Sequence, residues 1–402
     1  MSQPQDSTGG WVWYRPMTAR PADEENRTST ALELFFDLCF VIAVARSAAA
    51  FEHEFVAGHI AHGVLGYVLV FFAIWWAWMN FTWFSSAYDT DDVFYRLLTL
   101  VQITGALIMA AGAGKALEHY DFTVVTIGYV VMRLAMMSQW LRAAYSDPER
   151  RRGCVRYAAG IFVLQVGWVA RLAAGGHGSL VTFLVLVAGE LAVPLWAERA
   201  AQTTWHPRHV AERFGLFTLI VLGETVTAVT DAVSTALDLH IAFGDIASLV
   251  IGGIMTVFAM WWLYFAYDAP TGLISLSASL RWGYGHYALF AAAAAVGAGL
   301  AANISESAGH VHRGHTTMGA VYTVPVAVYV AALRLLLRHQ SASGALDVLF
   351  AAAVIAVLAS TFASSPVLVT GCVVSALVAA TLVIVSRTQR RMPRNASRRG
   401  AS

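Results

Sequence analysis

The sequence predicts an all-α, polytopic membrane protein of about twelve transmembrane helices, on three observations. Hydrophobic residues fill 58% of the 402 positions and charged residues 13%, about half the charged share of an average soluble domain. Twelve separate stretches are apolar over the ~20 residues that an α-helix needs to cross ~30 Å of hydrocarbon. Lys and Arg concentrate in every second gap between those stretches, the asymmetry that fixes orientation in a bilayer.

The stretches run over residues 31–50, 60–83, 94–113, 122–143, 154–174, 179–198, 210–230, 244–266, 283–303, 317–337, 345–363 and 366–386. Residues 1–30 are polar, without the basic, apolar and small-residue succession of a cleaved signal. Trp11, Trp13 and Tyr14 within them read either as an interfacial anchor or as an ordinary surface cluster. Gly105, Pro194, Gly252 and Pro325 fall inside helices, where packing in lipid tolerates both residue types, and Pro194 and Pro325 are expected kinks. Only Ser364, Ser365 and Pro366 separate the last two stretches, which predicts a tight hairpin.

Twenty-one of the 26 Lys and Arg residues lie in the termini and even-numbered gaps or within four residues of them, and 3 (Lys115, Arg171 and Arg313) lie in the odd-numbered gaps or as close to them. Arg46 and Arg133 fall inside proposed helices. Both termini are therefore expected in the cytoplasm, with the chain in the cell membrane and a basic tail over 387–402. His53, His59, His62, His119, His177, His240, His310, His312 and His315 fall on the opposite side. His59 and His62 have the spacing of two ligands on one helical face, yet neutral imidazole is also simply tolerated where Arg is disfavoured, so no metal site is expected.

The same motif opens the first and seventh stretches: ELFFDLCFVIAVA from Glu33 and ERFGLFTLIVLGE from Glu212. Trp75 and Trp76 then match Trp261 and Trp262, and ALIMAAGAG matches AAAAAVGAGLA. These matches predict two six-helix repeats, 31–198 and 209–386. Six spans is an even number, so both repeats enter the membrane in the same direction.

Glu33–Ala45 and Glu212–Val226, with WWLYF at Trp261–Phe265 and GYGHYALF at Gly283–Phe290, resemble the bacterial low temperature requirement A family. The resemblance covers essentially the whole apolar region, and Cys39 stands where that family's pattern suggests valine. It implies an integral membrane protein linked by the family's name to growth in the cold, and supplies no reaction.

Ionisable groups within apolar spans cost about 2.5–3.5 kcal/mol each at a helix centre unless paired or hydrated, so they are the best candidates for function. They are Glu33, Asp37, Arg46, Arg133, Glu190, Glu212, Arg213 and Glu224. Glu33 and Asp37 are one turn apart on one face. Either they form a proton or cation site, or Glu33 stabilises the helix start while Asp37 pairs with an arginine. Arg46 lies about half a turn round from Asp37 and needs another partner, as do Arg133, Glu190 and Glu224. Glu212 and Arg213 read as solvated interfacial charges. Phe71–Phe84 is dense in Trp and Phe, read as interfacial anchoring and packing with a lipid or substrate surface as the alternative, and Asn80 offers a polar contact.

Cys39, Cys154 and Cys372 have no paired spacing and predict neither disulfides nor zinc. A net charge of +1 argues against nucleic acid as a partner. The hydrolase, metalloprotease and phosphate-loop motifs are not found, and no cofactor is expected. The expected function is translocation of a small solute or ion, proton or cation, in the lipid bilayer, possible as a homo-oligomer. The alternatives are an integral membrane enzyme acting on lipid and a non-catalytic sensor or cold-adaptation protein.

Overall fold

The computed structural model describes residues 12–21, 28–175, 180–238, 243–266, 275–307, 314–338 and 343–391. Within them the chain forms twelve α-helices and no strand. They are α1 Ala31–Ala57, α2 Ile60–Ala87, α3 Val93–His119, α4 Thr123–Ser146, α5 Arg151–Ala173, α6 Leu180–Glu198, α7 Pro207–Asp238, α8 Phe243–Phe265, α9 Leu276–Ser307, α10 His315–Leu337, α11 Gly344–Ala359 and α12 Pro366–Arg391. All twelve have spans long and apolar enough to cross a bilayer, α11 with the short 3-10 turn that follows it. That turn, Ser360–Phe362, and Pro366 make the predicted hairpin between α11 and α12.

Most helices outrun the apolar stretches, α1 running on to Ala57 and α3 to His119. The N-terminus of α1 is a capping box, in which the backbone N–H of Thr30 donates to Glu33 Oε2 at 2.9 Å and that of Glu33 donates to Thr30 Oγ1 at 3.3 Å. Asp92 caps α3 by accepting from the Tyr95 N–H at 2.7 Å. Pro207 opens α7 at the position where its missing N–H costs nothing. Between α1 and α2 the chain turns at Gly58, whose φ of 84° suits glycine. The break leaves His59 outside α2 while His62 lies within it, so the expectation of two histidines on one helical face is corrected. His59 instead approaches Glu54 at 3.5 Å, and His62 Nε2 lies 3.1 Å from the Glu118 carbonyl. His177, His240, His310, His312 and Trp11 lie outside the described residues.

The chain divides into two compact units, Met1–Ala50 with Ala61–Phe217, and Phe51–Ile60 with Thr218–Ser402. In the first, α3 packs on α4, α4 on α5 and α5 on α6, while α2 meets α6 through Trp76 and Trp83. In the second, α9 packs on α10, α10 on α11, α11 on α12, and α8 on α12. Glycines set the closest crossings. A Cβ on Gly128 would lie 2.5 Å from the Gly105 carbonyl oxygen, and one on Gly252 2.5 Å from that of Val367. The tryptophans matched between halves differ in setting: Trp75 and Trp76 are buried, whereas Trp261 and Trp262 are 44% and 46% exposed.

Residues 12–21 lie along the first unit at the α2–α3 connection. The N–H groups of Val93 and Phe94 donate to the carbonyls of Val12 and Trp13, and Arg15 N–H donates to Asp92 at 2.7 Å. Trp13 is exposed, while the Tyr14 ring meets the Arg142 guanidinium at 5.2 Å.

Candidate functional site

Two groups of buried charges form inside the first unit, each centred on one arginine. The first joins the beginnings of α1 and α7. Arg213 donates through Nε to Asp37 Oδ2 at 2.9 Å, through Nη2 to Asp37 Oδ1, and through Nη1 to Glu33 Oε1 and Ser85 Oγ at 3.1 Å each. Trp78 Nε1 donates to Asp37 Oδ1 at 2.7 Å, and His209 Nε2 lies 3.3 Å from Glu33. Glu33, Asp37, His209 and Arg213 are all fully buried. The four-residue step from Glu33 to Asp37 meets the same step from His209 to Arg213, so α1 and α7 run parallel here.

Glu33 serves the helix start and Asp37 is paired bidentately with an arginine, the strongest protein ion-pair geometry. The expectation of a solvated Arg213 is corrected: its guanidinium is enclosed and all three of its nitrogens are engaged. Glu212 is half-buried and accepts from the Ser29 N–H at 3.3 Å. Arg46 is exposed on α1 rather than enclosed among the helices. Glu224 is half-buried in the second unit, about 16 Å along α7 from Arg213 at 1.5 Å per residue.

The second group is built by α2, α4, α5 and α6 around Glu190, which is fully buried. Arg133 Nη2 donates to Glu190 Oε2 at 2.7 Å, joined there by Trp76 Nε1 at 3.1 Å. Gln165 Nε2 and Trp168 Nε1 donate to Oε1 at 3.2 and 3.3 Å. Four donors thus saturate the carboxylate. Arg133 is not saturated. Arg133 is 1% exposed, yet its Nε and Nη1 have no hydrogen-bond acceptor among the described residues. Gln165 Oε1 has no donor. Tyr129 stands one turn before Arg133 on the same face, its ring centroid 5.7 Å from the guanidinium carbon.

A fourth buried carboxylate, Glu198, has no cation paired with it among the described residues. Trp83 Nε1, Tyr157 Oη and Thr203 Oγ1 donate to its Oε1 at 3.2, 2.8 and 2.7 Å, and the Thr203 N–H donates to Oε2 at 2.8 Å. The aromatic run of α2 therefore does what composition concealed: Trp76, Trp78 and Trp83 each aim an indole N–H at a different buried carboxylate. They are buried, not interfacial. Asn80 turns back to the Trp76 carbonyl at 2.7 Å. Among the described residues no group of three or more His, Cys, Asp or Glu side chains is placed to hold a metal.

Apolar helices of membrane-spanning length that enclose paired charges define a multi-pass integral membrane protein. The chain belongs to the family described as bacterial low temperature requirement A protein (LtrA), which it matches over residues 28–386. An uncharacterised protein of Rhizobium meliloti is 27% identical to it over 245 residues, which cover 58% of this chain and 57% of that relative's length. No solved structure matches the chain.

Proposed function

We propose that this protein is a carrier for a small solute or ion in the cell membrane, and that Arg133 and Glu190 form its binding site. The observation that carries the reading is the difference between the two arginines. Arg213 spends every nitrogen on Glu33, Asp37 and Ser85, as a group holding helices together should. Arg133 keeps two nitrogens unspent in the interior, where an unsatisfied donor costs about 1–3 kcal/mol. A cost of that kind is retained at sites where a ligand completes the set. Glu33, Asp37 and Arg213 are assigned to holding α1 against α7, and Glu224 and Glu212 to no substrate contact. The charge asymmetry supports a cytoplasmic location for both termini. The matching helix order of α2–α6 and α8–α12 supports a duplication, with the site in the first copy.

The test is reconstitution of the full chain in liposomes, with uptake of small solutes and flux of protons, potassium and sodium followed against empty vesicles. Flux above background that is lost in Arg133→Gln is expected. Absence of flux for every solute class, with the protein folded and correctly inserted, defeats the carrier reading.

A further inference from the structure

Resting on that carrier reading, we propose that Arg133 binds a small monovalent oxyanion and that Glu190 takes up one proton as the anion arrives, making the pair a proton-coupled anion site. The bias of the unspent groups gives the ligand's chemistry. Arg133 Nε and Arg133 Nη1 are donors, against one acceptor, Gln165 Oε1. A ligand that completes this set presents oxygens and few protons, and both donor atoms belong to a cation that is never neutral in a protein. A metal cation or an ammonium finds no unspent carboxylate oxygen here, because Glu190 already accepts four bonds.

Charge supplies the coupling. Arg133 and Glu190 together are neutral, so an anion entering beside them brings an uncompensated negative charge into an interior where such charges are expensive. If one proton binds Glu190 in the same step, the anion replaces the carboxylate as the counterion of Arg133 and the site stays neutral. Both leave together, so one proton moves per anion and no net charge crosses. Gln165 suits both states. Its Nε2 donates to the carboxylate, and rotation of the amide presents the unspent Oε1 to accept from the carboxylic acid. The titratable groups facing Glu190 are Arg133 and Tyr129 from α4; α2 and α5 contribute only Trp76, Trp168 and Gln165.

The probe is nitrate, whose acid is too strong to cross a bilayer protonated. Full-length protein is reconstituted in vesicles holding a pH dye, the potential clamped at zero with potassium and valinomycin, and an inward nitrate gradient applied at equal pH. Acidification of the interior is expected. Glu190→Gln, which imitates the protonated acid, is expected to abolish acidification while retaining exchange of labelled nitrate. Binding is read separately in detergent from tryptophan fluorescence, since Trp76 and Trp168 touch Glu190. The paired apolar replacement Arg133→Met with Glu190→Leu, which leaves no lone buried charge and so should fold, should weaken it by at least about tenfold. Nitrate that binds in detergent but does not cross the bilayer overturns the carrier reading and keeps the anion site. Uptake of other solutes with no nitrate binding keeps the carrier and overturns the anion site. Acidification undiminished in Glu190→Gln overturns the role of Glu190.

Discussion

At the scale of single residues, the contrast between Asp37 and Glu190 decides which carboxylate is structural. Asp37 sits between two Arg213 nitrogens and the Trp78 indole, so Asp37→Asn leaves a buried guanidinium with half its compensation. A loss of about 3–5 kcal/mol is expected for breaking a buried pair from one side. It should appear as a large fall in the detergent unfolding midpoint, and Trp78→Phe should cause a smaller fall of about 1.5–3 kcal/mol. Asp37→Asn protein that unfolds like wild type yet has lost flux would return Asp37 to the substrate path. Sequence pattern located Glu33, Asp37, Arg133, Glu190 and Arg213, because a charge inside an apolar run is visible without a structure. It did not reveal who pairs with whom. Those choices depend on helix neighbours between 22 and 180 residues apart in the chain, and the donors that matter, Trp76, Trp78 and Trp168, are indistinguishable by type from packing tryptophans. Only the matched four-residue steps of Glu33 to Asp37 and His209 to Arg213 carried a hint.

At the scale of helices, apolar length located all twelve elements, and the ends moved most where a helix continued past its hydrophobic stretch, as α1 does to Ala57 and α3 to His119. The turn at Gly58 separated two histidines that spacing alone had put together, since spacing does not reveal where a helix stops. Packing inside the first unit rests on the α3–α4 crossing, where Gly105 and Gly128 bring backbones together. A Cβ on Gly128 would lie 2.5 Å from the Gly105 carbonyl and 2.7 Å from the Met109 amide nitrogen, both backbone atoms that cannot turn aside. Gly128→Ala should therefore cost about 1–3 kcal/mol through forced separation of the helices. Gly223 in α7 is the control, with nothing within 4 Å of its added Cβ, and Gly223→Ala should be neutral or stabilising by up to about 1 kcal/mol. Equal unfolding midpoints for the two variants would show that the α3–α4 crossing is not tight.

At the scale of the whole molecule, the unequal placement of Lys and Arg and the backbone contacts of residues 12–21 bear on one question, which face meets the cytoplasm. The N-terminal segment is hydrogen-bonded to the α2–α3 connection through Val12, Trp13 and Arg15, so the N-terminus and the second gap share a face. α1 and α7 start in the same direction, as the odd number of spans between them, α2 to α6, requires. The face is then named by charge, because arginines such as Arg150, Arg151 and Arg152 gather in even gaps while the odd gaps hold few, and translocating positive residues is opposed. Glu149, in the fourth gap, and His59, in the first, are both exposed. In a background with its own three cysteines replaced, His59→Cys should react with a membrane-impermeant thiol reagent in intact cells. Glu149→Cys should react only after permeabilisation. The reverse pattern would invert the molecule in the bilayer and require that the charge asymmetry be overridden, and labelling of both sites in intact cells would mean that the α2–α4 segment does not span as a continuous series.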